Sequence, residues 1–208
     1  MIDLLHHERQ QWQNGRQIVA GVDEAGRGPL AGPVVAAAVV FPPSLSDTFG
    51  INDSKKLSPK NRERLKPLIE DIALAIGVGI VDHIDIDRIN ILQATYKAMQ
   101  IAVQQLSFMP DFVLIDGRGI PDLEMPCESI IKGDSKSVSI AAASIIAKVT
   151  RDHIMIDMHE KYPHYGFTQH KGYGTKKHIQ AIREHGLSPI HRRSFRPRAL
   201  MDIYDDLE

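Results

Sequence analysis

The sequence lacks the features that would place it in several other protein classes. Cys127 is the single cysteine among 208 residues, so an intramolecular disulfide and a multi-cysteine zinc site are excluded. The longest apolar runs, residues 33–41 and 140–147, are too short to span a membrane. The first 17 residues are polar and contain no apolar signal core, so we expect a cytoplasmic protein. Internal repeats and low-complexity linkers are also absent.

Charge of one sign is not in excess overall, but it is unevenly distributed. The net charge is −1. Residues 170–198 nevertheless contain eight Lys or Arg and a single acid, and residues 55–66 contain six bases and a single acid. Basic segments on a near-neutral protein suit a polyanionic partner such as nucleic acid, held on one face. The alternative is that these segments are solvated helix surfaces.

The order of apolar runs and helix signals predicts an α/β protein. Hydrophobic residues make up 43% and charged residues 25%, which is typical of a globular domain. Short apolar runs predict strands over residues 18–23, 34–41, 76–81, 112–115 and 128–131. Helix caps and a 3.6-residue apolar period predict helices over residues 58–72, 90–106, 137–159 and 175–184. This order indicates a mixed central sheet flanked by helices, with its first two strands joined as a hairpin.

Four acidic residues end or follow predicted strands. Asp23 and Glu24 end the first strand, Asp116 ends the fourth, and Asp134 follows the fifth. Ligand sites form at strand ends in open α/β sheets, and carboxylates that converge there repel one another unless a cation neutralises them. A ligand set made only of oxygens indicates Mg²⁺ or Mn²⁺. Together with the basic segments, these carboxylates suggest metal-assisted phosphodiester chemistry with two ions. The alternative is that each acid only forms a turn.

Five segments carry motifs in a fixed order: GVDEAGRGPLAG (residues 21–32), NDSKKL (52–57), LIDG (114–117), KGD (132–134) with AAASIIAKVTRD (141–152), and YGF (165–167) with HKGYG (170–174). Together they resemble the type 2 ribonucleases H, the ribonuclease HII family, over residues 18–197. The resemblance implies one ribonuclease H-like domain with a catalytic core of about residues 17–160. It also implies a helical, substrate-contacting C-terminal extension of about residues 161–208.

The same resemblance implies an activity and its residues. The family cleaves the RNA strand of RNA/DNA hybrids and cuts 5′ to single ribonucleotides in duplex DNA, leaving 5′-phosphate and 3′-hydroxyl ends by a two-metal-ion mechanism. By this resemblance, the catalytic and metal-binding residues are Asp23, Glu24, Asp116 and Asp134. Backbone groups of Gly26, Arg27 and Gly28 match the segment that contacts the ribose 2′-hydroxyl, and Tyr173 matches the tyrosine that packs on the sugar at the ribo-to-deoxyribo junction.

Further substrate contacts are expected from basic and polar residues near these motifs. We assign them to Lys55, Lys56, Ser135, Lys136, His170 and Arg193, with Arg192 and Arg196 as further duplex contacts. Two rival functions remain open. A DNA nuclease or strand-transfer enzyme of the same fold would share the carboxylates but would not need a 2′-hydroxyl contact. A catalytically inert hybrid-binding module would need the basic face only. In either case nucleic acid is the expected partner, and we expect a monomer without an obligate protein partner.

Overall fold

A five-stranded mixed sheet forms the centre of the computed structural model, which describes residues 3–119 and 122–205. The strands are β1 (Val19–Ala25), β2 (Val34–Val40), β3 (Ala75–Val81), β4 (Phe112–Asp116) and β5 (Cys127–Ile130), in the spatial order β3-β2-β1-β4-β5. The β2 strand pairs antiparallel with β1 and β3, whereas β4 pairs parallel with β1 and β5. The carboxyl ends of β1, β4 and β5 therefore lie side by side at one edge of the sheet.

Helices cover both faces of the sheet. They are α1 (His6–Gln13), α2 (Pro59–Ile72), α3 (His83–Gln104), α4 (Val138–Lys161), α5 (Phe167–His170), α6 (Lys176–His185) and α7 (Met201–Asp205). The α3 helix packs on one face and α4 on the other. Every residue of β2 is buried, since its Val and Ala side chains point alternately to the two faces of the sheet and contact the hydrophobic cluster on each. No helix among the described residues is both long enough and apolar enough to cross a membrane.

A glycine on β1 lets the start of α4 lie directly against the sheet. A Cβ atom at Gly21 would lie 2.2 Å from the carbonyl carbon of Ser139, closer than any side chain permits. Asp23 lies two residues further along β1, on the same face, because side chains alternate along a strand. The close approach therefore brings Asp23 near the turn that precedes α4, where Asp134 lies.

The predicted strands are all present, and three of the four predicted helices begin and end within two residues of their predicted bounds. The fourth, α3, begins at His83 rather than at Asn90. Asn90 has a φ of 66°, and its side-chain oxygen accepts hydrogen bonds from the N–H groups of Leu92 and Gln93. The predicted start at Asn90 thus marks a real break within α3. A helical segment that begins at His83 and is capped by Asp82 precedes this break. The α1 helix was not predicted, because its buried residues, Glu8 and Gln11, are polar.

The C-terminal part packs on α4 and on the loop between β1 and β2. Leu30 and Met155 share a hydrophobic cluster with Phe167 and Ile182. Backbone hydrogen bonds also join this loop to the C-terminal part, including one from the N–H of Leu30 to the carbonyl of Gly172. The helical C-terminal extension therefore lies next to the motif that follows β1.

Candidate active site

Three carboxylates meet where the parallel strands end. Asp23 lies near the end of β1, Asp116 is the last residue of β4, and Asp134 lies in a 3₁₀ turn after β5. One oxygen from each lies within 4.8 Å of the others. Asp23 and Asp134 are only 2% and 4% exposed. The backbone orients them, since Asp23 accepts from the N–H of Glu24 at 2.7 Å and Asp116 accepts from the N–H of Gly133 at 2.6 Å.

The electrostatics of this cluster are unfavourable without a cation. Burial, followed by repulsion from Glu24 and Asp116, raises the pKa of Asp23 well above its usual range. Burial also raises the pKa of Glu24, and burial together with the charge of Asp134 raises that of Asp116. The charged forms of Asp23, Glu24 and Asp116 are therefore destabilised at this site.

Two cationic side chains offset part of this charge. The Lys55 ammonium lies 2.9 Å from an oxygen of Asp134, and the Arg27 guanidinium lies 3.5 Å from Glu24. Partial burial tends to lower the pKa of Lys55, but its hydrogen bond to Asp134 and the charge of Asp23 outweigh that effect, so the pKa is raised. Two positive charges against four carboxylates leave a negative site whose donors are all oxygens. Such a site fits a hard divalent cation.

The loop after β1 forms one wall of a cleft above the acids. The cleft has a volume of about 210 Å³, and its lining includes Asp23, Glu24, Gly26, Arg27, Gly28 and Tyr173. Gly26 has a φ of 98°, and a Cβ atom there would lie 2.2 Å from Nε of Arg151. Only glycine fits this position. The N–H groups of residues 26–28 form no hydrogen bond within the described part of the chain, so they remain available to a ligand.

Two buried arginines hold the carbonyl groups of this loop. Arg192 is 0% exposed and donates to the carbonyls of Gly26, Arg27 and Gly32 at 2.6, 3.0 and 2.9 Å. Arg151 is 1% exposed and donates to the carbonyls of Pro33, Ala31 and Lys171 at 2.9–3.1 Å. Burial lowers the pKa of Arg192 to about 9 and that of Arg151 to about 10. The loop is thus fixed from its carbonyl side.

Comparison with known proteins identifies the family. The sequence model of the family described as Ribonuclease HII matches residues 20–197. The chain belongs to the ribonuclease HII family. It is 56% identical over 196 residues to the ribonuclease HII of Acetivibrio thermocellus, covering 93% of this chain and 75% of that protein.

Solved structures agree with this assignment. The ribonuclease H2 of Pyrococcus horikoshii superposes with a TM-score of 0.72 at 28% identity, covering 91% of this chain and 98% of that one. The ribonuclease HII of Archaeoglobus fulgidus, solved in a complex with PCNA, also gives a TM-score of 0.72, at 27% identity over 87% of this chain and 96% of that one. Family and fold confirm the resemblance of the motifs, the ribonuclease H-like sheet and the predicted class of enzyme, a ribonuclease H endonuclease.

Most sequence-predicted residues of this ribonuclease H lie around the cleft. Glu24 adjoins the three clustered aspartates, and Tyr173, 43% exposed, faces Gly28 across the cleft. Lys56 donates to the hydroxyl of Ser135 at 2.8 Å, so these two side chains form one polar edge next to Asp134. Lys136 and Arg193 are exposed, and neither lines the cleft.

Two sequence predictions need correction. Arg192 was expected to contact the duplex, but it is fully buried and its guanidinium bonds only carbonyl groups of the protein. His170 was expected to contact substrate, but it is 8% exposed and both ring nitrogens bond the backbone, at Tyr165 and Gly172. Both residues therefore support loops of the site from behind. The sequence of a basic segment does not show which of its arginines and histidines are buried.

The sequence interpretation also missed residues that line the cleft. Lys148, Arg62 and Ser54 are among them. Lys148 pairs with Asp152 at 2.6 Å, and burial lowers its pKa. Arg62 donates to the carbonyls of Ser54 and Leu57 and so holds the segment that carries Lys55. The one sequence signal for Lys148 was its i,i+4 spacing from Asp152 in the α4 motif. That spacing predicts an ion pair on a helix rather than a residue of a functional site.

Proposed function

We propose that this ribonuclease H cuts the RNA strand of RNA/DNA hybrids and cuts 5′ to single ribonucleotides in duplex DNA. One observation carries the proposal. The carboxylate oxygens of Asp23, Asp116 and Asp134 lie within 4.8 Å of one another, and Asp23 and Asp116 line a cleft whose wall contains N–H groups of residues 26–28 that form no hydrogen bond within the described residues. The acids suit phosphodiester hydrolysis and the wall suits recognition of a hydroxyl group.

The four acids would hold two divalent cations, Mg²⁺ or Mn²⁺. Bound there, the cations supply Lewis-acid activation of water and stabilisation of charge at the scissile phosphate. The protein supplies a rigid set of ligands, because Asp23 and Asp116 are fixed by backbone N–H groups and Asp134 by Lys55. The products carry 5′-phosphate and 3′-hydroxyl ends.

Recognition of the ribonucleotide falls to the loop and to Tyr173. The 2′-hydroxyl is the group that distinguishes RNA from DNA at a given site. Backbone donors held by Arg192 and Arg151 cannot easily move to an alternative acceptor, so a deoxyribose would leave them unpaired in the cleft. Tyr173 faces Gly28 and would pack on the sugar at the junction.

Basic and polar side chains in and around the cleft would contact phosphates. We assign this role to Lys55, Lys56, Ser135, Lys136 and Arg193, and we expect salt-sensitive binding as a consequence. We also propose that the enzyme works as a cytoplasmic monomer without an obligate protein partner. Its single domain would have a core of about residues 17–160 and a substrate-contacting part of about residues 161–208. The cluster that Leu30 and Met155 share with Phe167 supports a continuous domain.

The test compares a labelled DNA duplex containing one ribonucleotide with an all-DNA duplex of the same sequence. The wild-type protein and Asp23→Asn are assayed in Mg²⁺ and in Mn²⁺. We expect a metal-dependent cut on the 5′ side of the ribonucleotide, absent from the all-DNA duplex and lost in the variant. Cutting of the all-DNA duplex would favour the DNA nuclease of the same fold. Tight binding without cutting in either metal would favour the inert binding module.

A further inference from the structure

Three buried histidines lie beneath Tyr173, outside the acidic cleft. His170, His178 and His191 are 8%, 0% and 2% exposed. The rings of His170 and His178 stack with their centroids 4.4 Å apart, and Phe167 packs edge-on against both. None of the three lines the cleft. Their position under a loop of the site calls for a role other than contact with substrate.

Hydrogen bonds determine which nitrogen carries the proton in two of these rings. The Nδ1 of His178 lies 2.9 Å from the carbonyl oxygen of Tyr173, which can only accept, so Nδ1 is protonated and Nε2 is not. The Nε2 of His191 lies 3.0 Å from that unprotonated Nε2, so His191 donates. The Nδ1 of His191 then accepts from the N–H of Ser188 at 2.8 Å. Ser188, His191, His178 and the Tyr173 carbonyl thus form one directed chain of donors and acceptors.

The third histidine holds the residue before Tyr173. The Nε2 of His170 lies 2.8 Å from the carbonyl of Tyr165 and therefore donates, while its Nδ1 accepts from the N–H of Gly172 at 3.2 Å. All three rings are neutral in this arrangement. Burial favours that state, since it lowers the pKa of His178 to about 4 and that of His191 to about 3.

The orientation of Tyr173 depends on this support. Its ring is exposed, faces Gly28 and has the guanidinium carbon of Arg151 6.0 Å from its centroid, at the outer limit of a cation–π contact. Its backbone, by contrast, is held on both sides of the residue. The N–H of Gly172 donates to His170, and the carbonyl of Tyr173 accepts from His178 and from the N–H of Thr175, the latter at 2.8 Å. The hydrogen bonds to the backbone therefore fix the position from which the ring extends into the cleft.

We propose that the chain Ser188–His191–His178 positions Tyr173, so that His178 and His191 are specificity-determining positioning residues for cleavage at single ribonucleotides. The inference rests on the proposed function, which places Tyr173 at the ribo-to-deoxyribo junction. A single embedded ribonucleotide offers one such junction and depends on it. A long hybrid has many equivalent sites and is less sensitive to the tyrosine. Loss of the chain should therefore affect the first substrate more than the second.

The test uses His178→Leu and His178→Asn. Leucine removes the donor to the Tyr173 carbonyl, whereas the asparagine amide nitrogen takes the place of Nδ1 and still donates. We expect His178→Leu to lower kcat/KM on a single-ribonucleotide duplex by about fivefold to tenfold, as for one neutral hydrogen bond, with a smaller loss on a long hybrid. His178→Asn should restore most of the loss. Melting temperatures show that each variant folds, and His191→Leu breaks the same chain at a second point if His178→Leu does not fold.

A double-mutant cycle with Tyr173→Ala separates positioning from general destabilisation. If His178 acts through Tyr173, His178→Leu should change the ratio of the two rates no further once the tyrosine ring is absent. Equal losses on both substrates would overturn the inference, and so would an undiminished effect of His178→Leu in the Tyr173→Ala protein. Failure of the wild-type protein to cut the single-ribonucleotide duplex would instead overturn the proposed function, and the wild-type assay shows this before any variant is compared.

Discussion

Acid should destabilise the protein through two buried histidines. Burial lowers the pKa of His178 to about 4, and burial together with the adjacent His178 lowers that of His191 to about 3, whereas an unfolded histidine titrates near 6.5. Below pH 6.5 the unfolded chain binds protons that the folded chain does not. The stability that the neutral rings provide is therefore complete above pH 6.5 and is lost as the pH falls toward the folded-state values.

The size of the effect follows from these values. Between pH 7.5 and pH 5 an unfolded histidine becomes almost fully protonated, while the folded ring with a pKa of about 4 remains mostly neutral. The difference corresponds to about 2 kcal/mol for one histidine and to about 4 kcal/mol for two. Buried carboxyl groups act in the opposite sense. Burial raises the pKa of Asp23, Asp116 and Glu8, so their protonation favours the folded chain at low pH.

The assay must therefore compare proteins rather than conditions. Urea denaturation of the wild type and of His178→Asn/His191→Gln, in chelator at pH 7.5, 6.5, 5.5 and 5, gives the difference in unfolding free energy at each pH. We expect the advantage of the wild type to shrink by about 4 kcal/mol across this range. The matched control is His164→Asn, at an exposed position, which removes one histidine without changing the buried rings. Parallel profiles for the wild type and the double variant would refute the reasoning.

Three further substitutions test the site and its supports. Asp23→Asn should abolish cleavage and raise the melting temperature in chelator, because it removes a buried charge that its neighbours repel; a lower melting temperature would contradict this. Gly26→Ala should lower the unfolding free energy by more than about 2 kcal/mol in urea denaturation, since the added Cβ would lie 2.2 Å from Nε of Arg151. Its control is Gly50→Ala, where φ is 78° but the Cβ would enter open space, and we expect a cost of about 1 kcal/mol. Glu8→Ala should cost about 2 kcal/mol because it removes the acceptor at the start of α4, and Glu8→Gln, which keeps an acceptor oxygen, should cost clearly less in the same assay.

Local chemistry explains why the helix starts could be predicted. Ser58, Ser137 and Thr175 stand at the predicted starts, and each side-chain oxygen accepts from a backbone N–H three residues later. The convergence of the acids was also predictable, because strand direction brings the ends of β1, β4 and β5 to one edge and each acid stands at such an end. These predictions need only the nearest residues and the rules of sheet topology.

Features that depend on distant partners could not be predicted. The α1 helix packs through Glu8, whose carboxylate accepts from Ser137 and Ser139, more than 120 residues away in the sequence. No apolar period marks such a helix. Arg192 is similar, since a basic segment normally indicates an exposed surface. It is buried because the loop after β1 presents three carbonyl oxygens to it, an arrangement that exists only in the folded chain.

The neighbouring residues His191 and Arg192 connect both halves of the proposed ribose-recognition site. Arg192 holds the carbonyls of Gly26 and Arg27, while His191 acts through His178 on the carbonyl of Tyr173. One backbone segment therefore fixes the loop and the tyrosine relative to each other, although about 165 residues separate Arg192 from the loop. A hydroxyl group is recognised well only if its partners cannot move to accommodate its absence. Under the proposed function, the C-terminal extension would thus contribute to specificity through its buried side as well as through Tyr173.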